Sequence, residues 1–243
     1  MRKAINHLKK ADPVMAEIIA RVGPPRPLHR PATFWAMVRS IVFQQLAGAA
    51  ARTIFDRLER ACAAALGVTV APNEIPPAEG SAVVTPEAIL QLSEEQMRAC
   101  GLSRQKLSYI RDLAEKARSG EVDFAKLPQM SDEQVIEHLT RVKGIGVWSA
   151  QMFLMFALHR LDVMPTVDFG INTAICRHYR KRKMPKAKQI LKLAECWRPY
   201  RSVACFYLWR SMDKPNAATG KKVIAPQRTP RTRTIRKKKQ KPS

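Results

Sequence analysis

Signals for the start of a helix recur along the chain, and they constrain its fold more than any other feature. The segments Thr85–Glu87, Ser93–Gln96 and Ser131–Gln134 each begin with a hydroxyl residue suited to an N-cap, followed by proline or acids in the first turn. Residues 104–118 have apolar positions at helical spacing. Strand-like alternation is confined to the proline-rich stretch 68–85. We therefore predict an all-α fold, a bundle of short helices.

The same kinds of signal predict where other helices begin and end. Thr33 is a candidate N-cap, and a glycine indicates a break between two helices at Gln44–Gly48. A basic helix is expected to end at about Lys183 and Pro185 to open the next helix. The last helix is expected to cover about Tyr200–Met212.

This pattern divides the chain into three parts. Residues 1–32 are expected to hold one helix and a proline-rich connector. Residues 33–213 are expected to form the helical core. Residues 214–243 contain eleven basic residues, no acid and few apolar residues, so this tail is expected to be disordered.

A Gly-x-Gly turn, from Gly144 to Gly146, joins two of the predicted helices. Both glycines can adopt positive φ and bring backbone N–H groups to the surface, while the N-terminus of the following helix favours negative charge. Lys143 adds a cation beside them. The turn therefore has the features of a site that binds phosphate without reading base sequence. A glycine that merely ends one helix before the next begins is the alternative.

A single acid, Asp168, stands at the predicted start of the helix after this hairpin. Asp is a favoured N-cap residue, so a purely structural role is one interpretation. The helix dipole and backbone donors at this position also favour the ionised carboxylate. Such a group can stabilise positive charge that develops on a nearby reacting atom.

The charge of the chain favours polyanionic partners. Lys and Arg number 43 against 20 acids, a formal charge of +23, and the part before the tail is basic in its own right. The five cysteines form no C-x-x-C pair or cluster, which argues against a zinc or iron–sulfur site. With no signal-peptide pattern and no apolar run of membrane-spanning length, we expect an intracellular protein with reduced cysteines.

Several segments in order carry a resemblance to a known family: SIVFQQLAGAAARTIFDRL, CGLSRQKLSYIRDLA, VKGIGVWSA followed by PTVDFGI, and PYRSVACFYLWR. Over about residues 33–212 the chain resembles the helix-hairpin-helix (HhH-GPD) DNA glycosylase superfamily, and within it the alkylated-base enzymes of the 3-methyladenine DNA glycosylase II type. The resemblance implies a two-lobed fold with a helix-hairpin-helix motif and an active-site cleft between the lobes. One lobe is expected to cover about 33–130, and the second about 131–213 together with the N-terminal segment.

The family also implies partners and cofactors. We expect a monomer that binds damaged duplex DNA in base excision repair, with no iron–sulfur cluster or other cofactor. The resemblance leaves open an Na⁺ or K⁺ ion on backbone carbonyls of the hairpin, near Val142 and Ile145.

The resemblance gives Asp168 the principal catalytic role. Breaking the N-glycosidic bond places positive charge on the sugar, which an ionised carboxylate near the anomeric carbon stabilises while it orients the attacking water. Similar enzymes often have a second acid directly before the catalytic one, where this chain has Val167. Bifunctional members have a nucleophilic lysine at the position of Trp148. Because an indole cannot form an imine, we predict a monofunctional hydrolase without lyase activity.

The similar enzymes stack the extruded base on aromatic rings. Trp148 and Trp209 occupy the positions of pocket tryptophans, and indoles suit a cationic alkylated base through cation–π attraction. Phe34 and Trp35 are further candidates for substrate contacts. Burial in the core is the alternative for these two rings and for Trp209.

The segment Gln44–Gly48 resembles the family's loop that enters the minor groove. Glutamine side chains can pair with base edges, Leu46 can act as an apolar wedge, and Ala47 at the tip is small and would fill the gap poorly. A helix corner packed by Leu46 is the alternative. The full set of expected DNA contacts is Gln44, Gln45, Leu46, Ala47, Gly48, Lys143, Gly144, Ile145, Gly146 and Arg177.

The expected substrates are alkylated purines of the 3-methyladenine and 7-methylguanine type. Two alternatives stay open: a glycosylase for uracil, a deaminated or an oxidised base, and a helix-hairpin-helix DNA-binding protein without catalysis. The tail would add nonspecific, salt-sensitive DNA affinity. The expected location is the cytoplasm or nucleoid of a bacterium, or the nucleus of a eukaryote.

Overall fold

The computed structural model describes residues 1–24, 31–68 and 83–213, and these parts of the chain are helical without a strand. The all-α prediction is confirmed. The predicted tail and nearly all of the stretch 68–85 lie outside the described residues. The helices are α1 Arg2–Ala11, α2 Pro13–Val22, α3 Phe34–Phe43, α4 Gly48–Ala65, α5 Pro86–Gln91, α6 Glu94–Ala99, α7 Arg104–Arg118, α8 Asp132–Thr140, α9 Val147–Phe156, α10 Phe169–His178, α11 Ala187–Ala194 and α12 Arg201–Ser211.

The helices begin where the capping signals predict. Thr33 and Thr85 accept hydrogen bonds from the backbone of the first turns of α3 and α5, and Pro86 occupies the first position of α5. Ser93 and Ser131 form complete capping boxes at α6 and α8. Each such cap contributes about 1 kcal/mol to stability.

Three expectations about helix positions are wrong. The N-terminal segment holds two helices rather than one, because Asp12 ends α1 and caps α2. Helix α10 ends at His178 and does not continue to Lys183, since Arg180 adopts a positive φ of 51° that leaves the helical path. Pro185 does not open the next helix, whose N-cap is Lys186.

The helix contacts fall into two sets. Helix α7 packs against α3, α5 and α6, and α4 packs against α3 and α5. In the second set α12 packs against α2 and α10, and α1 packs against α2. Apart from both sets, the hairpin helices α8 and α9 pack chiefly against each other. This arrangement agrees with a two-lobed fold, whereas the exact lobe boundaries and the cleft between the lobes stay predictions.

A buried aspartate joins the N-terminal segment to the second set of helices. The carboxylate of Asp12 accepts backbone hydrogen bonds from Val14 (2.9 Å) and Met15 (3.1 Å). It also accepts the Tyr179 hydroxyl (2.6 Å) and the Trp197 indole N–H (2.8 Å). Because these contacts span more than 160 positions of sequence, they fix α2 against the second lobe.

None of the helices in the described parts of the chain is long and apolar enough to cross a membrane.

Candidate active site

Asp168 is the N-cap of α10, as the sequence predicts. Its Oδ1 accepts the backbone N–H of Ile171 at 2.8 Å. The loop that delivers it is closed by the Asp168 N–H, which donates to the carbonyl of Pro165 at 3.1 Å. Only 7% of the residue is exposed. The carboxylate is therefore held in one orientation by its own helix.

Two tryptophans from different helices complete the environment of this carboxylate. Trp148 at the start of α9 donates its indole N–H to Oδ2 at 2.9 Å, and Trp209 near the end of α12 donates to Oδ1 at 2.9 Å. The structure thus brings together the predicted acid and both predicted tryptophans. Three N–H donors converge on one carboxylate, each stronger than a bond between neutral groups because the acceptor is charged.

The two indoles differ in what covers their faces. Trp209 stacks on Phe156, with ring centroids 5.8 Å apart and planes inclined by 22°, and meets the edge of Phe206 at 6.0 Å. Trp148 is 36% exposed. Since one face of Trp209 is occupied by Phe156, Trp148 offers the more open surface for a flat ligand.

Gly170 is a site residue that the sequence analysis missed. A Cβ at this position would lie 3.0 Å from Cδ1 of Trp209 and 3.3 Å from Oδ1 of Asp168. The absence of a side chain therefore lets Trp209 approach the carboxylate. The only signal in the sequence was a glycine two positions after the acid, in the first turn of a helix.

Apolar side chains surround the acid at the surface. Val167 is 67% exposed and Phe169 is 62% exposed, and Val147 at the start of α9 is also exposed. The position before the acid thus presents a solvent-facing methyl surface rather than a second carboxylate.

Phe34 and Trp35 do not form part of this site, which corrects the expectation that they contact substrate. Both are more than nine-tenths buried. The Trp35 indole N–H donates to Glu59 at 2.7 Å and its ring meets Phe55, while Phe34 lies edge-on to Phe124. Helix α3 directs its first two residues into the core of the first lobe, so neither ring has an open face.

The hairpin between α8 and α9 agrees only in part with its prediction. Gly144 has the expected positive φ of 78°, whereas Gly146 has a φ of −94°, so only the first glycine needs the left-handed region. Gly146 is the N-cap of α9 and provides no side-chain cap, which leaves first-turn N–H groups for an anion. Ile145 is buried, so its side chain belongs to the core and only its backbone lies at the turn.

Helix α7 supports the hairpin through residues that the sequence analysis missed. The ring of Tyr109 lies against Gly144 so closely that a Cβ there would overlap it. Asp112 accepts the Lys143 backbone N–H at 2.8 Å and pairs with the Lys143 ammonium at 3.6 Å. Burial acts to raise the pKa of Asp112, but the hydrogen bonds from Lys143 and Lys116 outweigh it and hold the pKa below its usual range.

The loop between α3 and α4 lies next to the hairpin. Gln44 donates its amide N–H to the carbonyl of Gly144 at 3.3 Å. Gln45 has a positive φ of 58° and is exposed, Leu46 is half-buried, and Ala47 is the exposed N-cap of α4. We refer to Gln44–Gly48 as the wedge loop. Its position beside the hairpin supports a common surface for DNA.

A lysine of α7 holds the base of the wedge loop. The Lys106 ammonium donates to the carbonyl of Val42, in the last turn of α3, at 2.6 Å. Burial lowers the pKa of Lys106 to about 8. The carbonyl at this helix end is thereby satisfied by a side chain rather than by water.

Arg177 lies at the end of α10 opposite Asp168. It is exposed in the last turn of α10, nine residues beyond Asp168. At 1.5 Å per residue, the separation along the helix is about 13 Å. Contact between Arg177 and DNA stays a prediction.

Hairpin carbonyls have the chemistry to hold an alkali ion. The carbonyl of Val142 accepts the Ile145 N–H at 3.1 Å, and that of Gly144 accepts Gln44. Each carbonyl oxygen has two lone pairs, so one remains for an ion. Among the described residues, no group of His, Cys, Asp and Glu could hold a metal.

Comparison with known proteins gives consistent matches over most of the chain. Residues 38–199 match the family described as HhH-GPD superfamily base excision DNA repair protein. The chain is 33% identical over 215 residues to DNA-3-methyladenine glycosylase 1 of Schizosaccharomyces pombe, covering 87% of each chain.

Two solved structures also resemble the chain over most of its length. A 3-methyladenine DNA glycosylase of Schizosaccharomyces pombe in complex with abasic DNA has 32% identity and a TM-score of 0.70, over 86% of this chain and 95% of that chain. A DNA-3-methyladenine glycosidase of Bacillus halodurans has 33% identity and a TM-score of 0.70, over 86% and 88% of the two chains.

Proposed function

The chain belongs to the HhH-GPD superfamily of base excision DNA repair proteins, and we propose that it is a DNA glycosylase that removes alkylated purines from duplex DNA by hydrolysis. The resemblance noted in the sequence is confirmed by the family match. The observation that carries the catalytic assignment is a fixed carboxylate, Asp168, beside a partly exposed indole, Trp148.

The hydrogen bonds of Asp168 suggest which of its oxygens acts. A carboxylate oxygen has about two lone-pair sites, and Oδ1 uses both for Ile171 and Trp209. Oδ2 accepts Trp148 and, within the described parts of the chain, has a further site available. We assign to Oδ2 the contact with the attacking water or the electron-poor anomeric carbon. A carboxylate already held in place stabilises that charge without reorganising during the reaction.

The leaving group explains why one acid suffices. Alkylation gives the purine a positive charge, so the base departs as a neutral molecule and does not need a strong general acid. The exposed face of Trp148 attracts a cationic ring by cation–π interaction of roughly 0.5–2 kcal/mol. The neighbours of the acid along the chain, Val167 and Phe169, are exposed and apolar, so neither can protonate the departing base.

Hydrolysis rather than strand cleavage follows from Trp148. A bifunctional enzyme needs an amine that forms an imine with the sugar, and the indole at this position has none. Incubation with abasic-site DNA and borohydride is therefore expected to give no covalent complex. A trapped complex that persists in a Trp148→Phe variant would contradict monofunctional chemistry and direct attention to another amine.

DNA would bind through the hairpin and the wedge loop together. The uncapped start of α9 and the neighbouring Lys143 suit a backbone phosphate, while Gln45 and Leu46 lie on the adjacent loop. Because Ala47 is small, we propose that the enzyme retains its abasic product weakly. An alkali ion on backbone carbonyls of the hairpin, near Val142 and Ile145, would add positive charge at the same turn. We propose that the enzyme needs no other cofactor. We also propose that it is an intracellular monomer.

Release of bases from methylated duplex DNA tests the function. We expect the full chain to release 3-methyladenine and 7-methylguanine, measured by chromatography of the free bases. Asp168→Asn should lower the rate at least about a hundredfold, because it removes the charge that stabilises the transition state. Its affinity for undamaged duplex should remain.

Two outcomes would replace this proposal. Duplexes with uracil, hypoxanthine or 8-oxoguanine serve as the comparison panel, and faster release of any of these bases would assign the enzyme to that lesion. Full binding of methylated DNA with no base released by either form would identify a DNA-binding protein without catalysis.

A further inference from the structure

A cationic cleft lies at the end of α10 opposite Asp168. It has a volume of about 430 Å³ and is formed by the end of α10, the connection that follows it and the start of α11. Lys181, Arg182, Lys183 and Lys186 line it. All nine lining residues belong to the described part of the chain, and none is acidic. An occupant of this cleft should therefore carry negative charge.

The floor of the same cleft is apolar. Met184 is 47% exposed and Leu193 of α11 is half-buried, while Ile175 of α10 lies fully buried beneath the cleft. A ligand that fits both the walls and the floor carries acidic groups and at least one apolar group. The backbone of a nucleic acid presents phosphates and sugars but no apolar side chain, so the floor favours a peptide.

The position of the cleft separates it from the proposed active site. Helix α10 has ten residues and carries Asp168 at its N-terminus, so its length places the cleft roughly 15 Å away along the helix. An occupant there would leave Asp168 and Trp148 open to DNA. The tail of the chain, residues 214–243, is itself basic and does not match the charge of the cleft.

We propose that this cleft docks an acidic peptide segment of a partner protein, with an apolar side chain against Met184 and Leu193 and carboxylates paired with the surrounding lysines. Charge complementarity selects acidic segments, and the apolar contact distinguishes them from polyanions in general. Binding of such a peptide does not depend on which lesion the enzyme removes.

Fluorescence anisotropy with the full chain tests the proposal. The probe is a labelled twelve-residue peptide of four Glu-Glu-Leu repeats, and the matched peptide has serine in place of each leucine. The double variant Lys183→Glu/Lys186→Glu should bind the leucine peptide at least about tenfold more weakly, because two attractive contacts become repulsive. The control, Lys188→Glu/Lys192→Glu, makes the same charge change on exposed residues of α11 that do not line the cleft.

The floor is tested separately by Met184→Ser, which leaves the charge unchanged. It should weaken binding of the leucine peptide and leave binding of the serine peptide as it was. Melting curves identify any variant that does not fold. If the double variant does not fold, peptide binding by Met184→Ser still tests the proposal. Release of alkylated bases should be the same in all three variants.

Several results would overturn the proposal. Equal losses in the cleft and control variants would show general charge attraction, and equal affinity for the two peptides would remove the apolar anchor. Binding of undamaged duplex that falls only in the cleft variant, together with base release, would assign the cleft to DNA instead.

Discussion

Asp12 and Asp168 occupy closely similar environments in two regions of the molecule. Each caps the N-terminus of a helix and accepts hydrogen bonds from two aromatic side chains, Tyr179 and Trp197 for Asp12, and the two tryptophans of α9 and α12 for Asp168. The two carboxylates are also almost equally buried, with 5% and 7% of each residue exposed.

The difference lies in the surroundings rather than in the carboxylates. Trp197 is fully buried and Tyr179 is half-buried, so the Asp12 cluster is the more enclosed of the two and ties distant parts of the chain together. At Asp168 the neighbouring residues Val167 and Phe169 are exposed, and so in part is Trp148. The comparison teaches that a capped, hydrogen-bonded aspartate is a structural element that becomes a candidate catalyst only where its donors reach the surface.

Removing the charge from each aspartate should give the largest and most contrasting effects. Asp12→Asn should lower the free energy of unfolding by about 2–3 kcal/mol, because an amide cannot accept all four hydrogen bonds. Base release by the folded fraction should be unchanged, the reverse of the behaviour expected for Asp168→Asn. Urea denaturation and base release measure the two effects. A folded Asp12→Asn protein that no longer releases bases would remove the distinction between the clusters.

Removing one indole N–H donor from each aspartate should separate the structural role of Asp12 from the catalytic role of Asp168. Trp148→Phe keeps an aromatic ring but loses a hydrogen bond to a charged group worth about 1.5 kcal/mol, so kcat should fall about tenfold. Trp197→Phe removes the matching bond from Asp12 and should lower the melting temperature while kcat is retained. Steady-state kinetics and melting curves on both variants test this. A kcat that is equal in the two variants would mean that Trp148 does not position the acid.

Adding a methyl group beside Asp168 should have a smaller effect. In Gly170→Ala the new Cβ would lie 3.0 Å from Trp209, so the indole must move by a few tenths of an ångström. We expect kcat to fall about fivefold, since a small misplacement of a catalytic group is costly even when the fold is intact. In a Trp209→Phe background the same substitution should cost less. Additive losses would indicate that Gly170 acts on something other than Trp209.

Restoring a second acid next to Asp168 should have the smallest effect. Val167→Asp changes an exposed side chain, and the free energy of unfolding should stay within about 0.5 kcal/mol. If Asp168 acts without an accessory acid, the rate of base release should hardly change. A marked rise in that rate would show that the valine limits the enzyme.

The local parts of this structure were the predictable ones. Caps such as Thr85, Ser93 and Ser131 and the acid at position 168 depend on side chains a few residues from the helix they begin, so the sequence indicates them directly. The extra N-terminal helix could not be predicted in this way, because α1 begins after Met1 without a side-chain cap.

Contacts between distant residues could not be predicted in the same way. Gly170 matters because Trp209 from another helix lies against it, and Asp112 matters because it accepts the Lys143 N–H across 31 positions. Phe34 and Trp35 were assigned to substrate because aromatic residues are useful in both a pocket and a core. Only the packing of α3 decides between these uses.

The hydrogen bond from Gln44 to Gly144 has a consequence for how the protein searches DNA. The two adjacent loops that would contact the duplex are already connected in the free chain. The entropy of ordering them is therefore lost once, during folding, and not at every encounter with a stretch of undamaged sequence. A protein that scans many thousands of intact base pairs between lesions benefits from loops that are already ordered. It can slide along the duplex without waiting for a loop to close.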